Sequence, residues 1–383
     1  MPIEERDEKS RGKLITFLLT VVFILAAGTA VGVFARHAHG RAHLFNGNDT
    51  ANTPASSANG AAPRDTPSGA AIQSSGPTPS PALLVLNKAA NELAIVDPAS
   101  KKVVARIATG FGPHEVVASD DGKYAFVTNY GEPPKNAGNS LSVYDLAAQK
   151  EIHRVDVSPL RAPHGILYSE GKVYFTAEMN KAIARYDPAT NSVDWALGIG
   201  QDGTHMVIRT KFLQEFFTAN VFSGTVTAIL KSSNESGWSE TNIPVGRLSE
   251  GIDITPDDKE VWVANAGDQT ISAISVAQSK VIDTFKSGAK HANRVKFTID
   301  GKNALVSDPE GNDVVVIEVA SRKILKSLPT GNDSEGILMR PDGTLAYVAC
   351  AGDNNLAVID LAKMEVVDHF TTGQGPDGMA WAK

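Results

Sequence analysis

The chain has 383 residues, a formal net charge of −7 and only 21% charged residues. That acidic balance excludes the broad basic face a nucleic-acid partner requires, so no nucleic acid is expected. A single cysteine, Cys350, excludes an intrachain disulfide, and 33 glycines suit a chain of many short strands and tight turns.

In chain order, the first predicted element is an apolar helix. Residues 14–35 carry no charge and are mostly Leu, Val, Ile, Phe and Ala. At ~1.5 Å per residue such a helix crosses a ~30 Å hydrocarbon core. It exceeds the roughly 7–15 residues of a signal-peptide core, so it reads as an uncleaved transmembrane signal anchor, with Val33-Phe34-Ala35 as the alternative cleavage site. Arg6, Lys9, Arg11 and Lys13 precede it, and only Arg36 and Arg41 closely follow. The positive-inside rule then puts residues 1–13 in the cytoplasm and the rest of the chain in the periplasm or outside the cell. Residues 36–81, rich in Ala, Ser, Thr, Pro, Gly and Asn, read as a disordered, flexible tether. His37, His39 and His43 near its start read as polar juxtamembrane residues, with loose metal capture as the alternative.

From Ala82 onward one phrase recurs about every 42 residues, the length of a propeller blade. It consists of a glycine, an apolar strand, Asp-Gly-Lys or a variant, a second apolar strand ending in Asn or Asp, and a third ending in Val-Ile-Asp or a variant. Val116-Val117-Ala118, Asp121-Gly122-Lys123, Phe126-Val127-Thr128-Asn129 and Leu141-Ser142-Val143-Tyr144-Asp145 form one copy. Ile252-Asp253-Ile254, Asp257-Asp258-Lys259 and Val261-Trp262-Val263-Ala264-Asn265 form most of another. Short apolar runs bounded by such turns are strands, and Asp-Gly marks the hairpin. Seven units result. Six are whole, with inner strands expected near His114, His164, His205, Glu250, Asn293 and Glu335. The seventh is split: Gly375 to Trp381 supply a first strand, and Leu83–Asn87, Asn91–Asp97 and Lys102–Ile107 the other three. The prediction is an all-β, seven-bladed propeller over residues 82–383, closed by one C-terminal and three N-terminal strands.

Phe126-Val127-Thr128-Asn129 and Val358-Ile359-Asp360 resemble the phrase of the YVTN-repeat propeller family, within the group that includes the haem d1 propeller of nitrite reductase. The resemblance spans about residues 83 to 383 and implies fold more than function; no axial haem ligands are matched. Pro163-His164-Gly165-Ile166 with Tyr174-Phe175-Thr176-Ala177-Glu178 is similar to the streptogramin lyases. That likeness implies a role for His and Glu around a magnesium ion, with His164 and Glu178 as the matching catalytic candidates.

Strand polarity places the chemistry. The start of each first strand and the loop after each second strand share one face. His114, His164, His205, Glu250, Asn293, Glu335 and Asp377 therefore ring one mouth of the central channel. The longer spacing after His114 comes from an insertion, Tyr130 to Asn139, that overhangs the same mouth. The ends of the second strands form a second ring: Asn87, Asn129, Glu178, Asn220, Asn265, Asp308 and Cys350. Turn chemistry accounts for the asparagines, and Cys350 reads as a small, partly buried filler; Glu178 breaks the pattern.

Three imidazoles facing carboxylates form a metal-ligand inventory, so His114, His164 and His205 are candidate ligands for a divalent ion such as Mg or Zn. The competing reading is that polar residues line any wet channel. Glu115, Glu250, Asn293, Glu335 and Asp377 are candidate ligand-binding residues beside His114. Arg294 either pairs with an anionic ligand or forms a salt bridge to Glu115 or a ring carboxylate. Two functions follow. One is a membrane-tethered module binding a small molecule, a metal ion or an envelope protein. The other is a metal-assisted lyase or hydrolase using the same ring.

Overall fold

The computed structural model describes residues 73–383, apart from residue 213 and residues 232–236. The segment predicted to cross a membrane lies outside these residues. Among the described residues no helix is long and apolar enough to span a membrane.

Seven antiparallel sheets follow one another along the chain. Six hold four strands each, taken in sequence order from the axis outward. The remaining sheet is the split one. Its innermost strand is Pro376–Ala382, paired with Ala82–Asn87, which pairs with Glu92–Asp97 and then Lys102–Ala108. The expected closure of N- and C-terminal strands in one blade is thus observed, and it pairs an edge that would otherwise be open.

Burial follows from how blades stack. A middle strand is covered on both faces by neighbouring blades, so Leu83, Leu84, Val85 and Leu86 are all fully buried. Successive side chains point to opposite faces. Leu84 and Leu86 accordingly pack with Val116 and Tyr144 of the next blade, while Leu83 and Val85 pack with Tyr347 and Val358 of the previous one. Outer strands splay apart and reach solvent, and Ser192–Gly198 alternates between exposed and half-buried positions. This explains why middle strands such as Ala82–Asn87 read as short, largely apolar runs.

Two features depart from the sequence reading. The tether does not extend to residue 81. Gln73–Ser74 adds a fifth strand to the split blade by pairing with Arg106 and Ala105. Gln149 Nε2 donates to Gly76 O at 2.8 Å and to Thr78 Oγ1 at 3.1 Å. The outermost strand offers free main-chain groups that any polar segment satisfies, and side-chain composition does not signal that pairing. The fifth inner strand begins at Val295, beyond Asn293, although Asn293 N still donates to Ser307 O at 3.0 Å.

Near the axis the inner strands crowd together. An added Cβ on Gly251 would lie 2.4 Å from Asn293 O, and on Gly378 2.2 Å from His114 O. Each glycine directly follows a ring residue, so its missing side chain lets the next blade's ring residue come close. Gly251→Ala should therefore lower stability by about 1–3 kcal/mol, the usual cost of overpacking. Gly198→Ala, where nothing lies within 4 Å of the new methyl, should be near neutral. Urea denaturation midpoints of the two variants check the contrast.

Candidate functional site

The ring residues sit at a repeated irregularity. In six blades the pairing of first and second strands slips beside the ring position, for example between Pro113 and Val116, Thr204 and Met206, and Ser334 and Ile337. Such bulges re-aim a side chain locally. They turn His114, Glu250 and their counterparts toward the axis.

The predicted ring does converge. The His114 and His164 rings have centroids 3.9 Å apart, and those of His164 and His205 are stacked at 3.6 Å. Tyr130, at the base of the inserted hairpin, sets its ring edge-on to His164 at 4.8 Å and to His114 at 5.4 Å. Its hydroxyl donates to Glu178 Oε2 at 3.1 Å. Glu178, the member of the second ring that broke the asparagine pattern, opens a short 3-10 turn after the second strand. It faces the first ring: its Oε2 lies 3.0 Å from His205 Nδ1, and Glu250 Oε2 lies 3.2 Å from His205 Nε2.

His205 is therefore clamped by two carboxylates. Burial works against its charge, yet the hydrogen bonds to Glu178 and Glu250 hold it up to about 9. In return, and again against burial, His205 draws Glu250 down to about 2. His114 and His164 behave oppositely. Burial, reinforced by the Lys88 cation and only partly offset by Asp377, holds His114 well below its ordinary value. Burial and the two flanking imidazoles do the same to His164. At neutral pH these two rings are uncharged and carry free lone pairs, while His205 is an imidazolium. His164 is fully buried with neither ring nitrogen hydrogen-bonded, and His114 Nδ1 likewise has no hydrogen-bond partner.

The other half of the ring is a charge network. Arg294, 5% exposed, donates from Nη2 to Glu115 Oε1 at 2.9 Å, joining the fifth and first whole blades across the axis. The salt-bridge alternative for Arg294 is what the structure contains. Arg294 Nη1 also donates to Asn293 Oδ1 at 3.3 Å, and Asn293 Nδ2 donates to Glu335 Oε2. Burial and nearby Asp377 push Glu335 up to about 8. Asp377 Oδ2 lies 3.6 Å from both Lys88 Nζ and His114 Nε2.

Among the described residues, those grouped closely enough to share a metal ion are His114, His164 and Glu115, with one ligand atom from each within 4.8 Å of the others. His205, predicted as the third imidazole ligand, has both nitrogens engaged by carboxylates and lies outside that group. Sequence reasoning missed Lys88 and the direct part played by Tyr130. Both stand immediately after second-ring asparagines, as Lys88 follows Asn87 and Tyr130 follows Asn129, so the offset was available as a signal.

The second-ring asparagines are structural, by a route other than bonding their own turn. Asn129 Oδ1 accepts from Gly110 N at 2.9 Å while Nδ2 donates to Ser140 and Ser142. Asn265 repeats this with Gly246, Thr270 and Ser272. Each fastens the incoming loop to its own blade. Cys350 is fully buried, and its thiol is pushed up to about 11 by burial.

An all-β propeller with a polar, charge-paired mouth defines the class of this protein. The family model for YNCE-like β-propellers matches residues 56–383, and the chain belongs to that family. A curated protein from Leptospira interrogans, Antigen Lp49, is 21% identical over 66% of this chain and 55% of its own length, so the chain spans about half of that relative. Among solved structures, a putative 6-phosphogluconolactonase from Bacteroides uniformis superposes with a TM-score of 0.65 at 12% identity, over 79% of this chain and 99% of that one. Dihydro-haem d1 dehydrogenase NirN does so with a TM-score of 0.57 at 12% identity, over 77% and 64%. These likenesses establish the fold.

Two outcomes are expected. Arg294→Leu strands Glu115 without its partner and should cost about 3 kcal/mol, while the Glu115→Leu/Arg294→Leu pair should recover most of that loss; urea denaturation of the three metal-free proteins checks it. Cys350, with roughly one thiol in a thousand ionised at pH 8, should resist iodoacetamide in the native state. It should alkylate fully once unfolded, as mass spectrometry would record.

Proposed function

We propose that the protein is a membrane-tethered, extracytoplasmic binding module that captures a small ligand at the His-bearing mouth of its propeller. The observation that carries this reading is His164, fully buried with both ring nitrogens unbonded. A buried polar atom left without a partner costs about 1–3 kcal/mol. His114 Nδ1 adds a third such atom, and a ligand that bonds to them recovers that cost. Rings packed with centroids 3.6 and 3.9 Å apart suit an ion or a small head group rather than an inserted protein loop. The tethered placement rests on the uncharged run of residues 14–35 and its basic N-terminal flank.

One observation favours a second reading, a metal-assisted lyase or hydrolase. Tyr130, Glu178, His205 and Glu250 form a continuous hydrogen-bonded chain against His164. Such a chain moves protons when a substrate is polarised beside it.

Thermal melting of the detergent-solubilised full chain tests the binding reading. The probes are divalent metal chlorides, inorganic phosphate and malate. At least one should raise the melting temperature of the wild type in a concentration-dependent way and leave His164→Ala unmoved. No shift with any probe, or equal shifts in both proteins, overturns the reading. Protease added to intact spheroplasts should digest the propeller, and complete protection would sink the placement.

A further inference from the structure

Building on the small-ligand reading of the mouth, we infer that the ligand is a first-row transition-metal dication held by His114 Nδ1, a ring nitrogen of His164 and a Glu115 carboxylate oxygen, with Asp377 orienting His114 from behind.

The donor set selects the ion. Two imidazole nitrogens and one carboxylate oxygen suit zinc, cobalt or nickel, whereas magnesium and calcium prefer an all-oxygen shell. Ligand atoms within 4.8 Å of one another need to draw in by about an ångström to reach metal bonds of roughly 2.0–2.2 Å. Side-chain rotation supplies that movement. Three protein ligands leave one position of a tetrahedral shell open to water or a further ligand.

Each ligand is already held. His114 turns Nε2 toward Asp377 Oδ2 at 3.6 Å, which leaves unbonded Nδ1 on the side of Glu115 Oε1, 3.9 Å away. A carboxylate behind a ligating histidine fixes its tautomer and orientation. Arg294 anchors Glu115 from the far side of the axis. The His164 carbonyl accepts from Thr128 Oγ1 at 2.8 Å, which pins the backbone of the second imidazole to the neighbouring blade. His205 cannot replace either imidazole, because Glu178 and Glu250 occupy its two nitrogens.

The test uses the full-length chain stripped of metal with a chelator, then dialysed against cobalt(II) or magnesium chloride. Cobalt reports its own coordination through visible absorption. One equivalent of cobalt should bind, with a low-coordinate spectrum, and magnesium should bind far more weakly. His164→Ala and His114→Ala should abolish binding. His153→Ala, on an exposed outer strand, should leave it unchanged, as should joint replacement of His37, His39 and His43 by alanine. Asp377→Asn should weaken cobalt 10- to 100-fold without changing stoichiometry or the metal-free melting temperature, and Asp377→Glu should restore most of the affinity. Magnesium bound as tightly as cobalt overturns the inference. So does cobalt bound undiminished by His164→Ala, and an Asp377→Asn chain of unchanged affinity ends the role given to Asp377. If phosphate or malate stabilises the wild type through His164 while cobalt does not bind, the metal inference falls and the binding reading stands. If nothing binds, both fall.

Discussion

Seven inner strands must pass side by side around one axis, and the closeness of that passage governs the rest of the molecule. Beside Gly251 and Gly378 the neighbouring main chain comes so near that no side chain fits. Of the ring residues just before these glycines, Asp377 is buried and Glu250 half-buried. Their hydrogen bonds and charges must be settled internally, because an unmet polar group in such a place is expensive.

Most of the ring meets that demand in pairs. Arg294 with Glu115, Asn293 with Glu335, and His205 between Glu178 and Glu250 each answer one group with another. The pairing is lopsided. The carboxylate clamp keeps one imidazole charged, whereas two others on adjacent blades stay neutral and partly unbonded. Identical side chains at equivalent places in the repeat thus acquire opposite protonation states from their neighbours alone. Chemical asymmetry has been written onto a nearly symmetric frame.

The fold was legible because a propeller blade repeats its own grammar. Apolar runs ending in Asn129, Asn265 or Asp308, and a lone first strand at Gly375 to Trp381, disclosed blade count and closure. The first ring was legible through strand polarity, which needs only the order of strands. What escaped was set by contacts across blades. Nothing in its sequence marks His205 as clamped while His164 is not, since the clamp depends on Glu178 lying one blade back and Glu250 one blade on. The ordered stretch from Gln73 escaped for a similar reason, because main-chain pairing with Lys102–Ala108 is blind to composition. For Arg294 the sequence left an anionic ligand and a salt bridge to Glu115 or a ring carboxylate both open, and only the contact across the axis decides for Glu115.

Asp377 stands on Pro376–Ala382, the last strand of the chain, yet it backs a histidine of the first whole blade. A chain still emerging from the ribosome already contains His114, Glu115 and His164 but lacks the carboxylate that stands beside His114 Nε2. The mouth is complete only when Pro376–Ala382 has arrived beside Ala82–Asn87. Any ion it takes is then drawn from the compartment where that arrival happens. Timing of biogenesis, as much as affinity, would then decide which ion the proposed site takes.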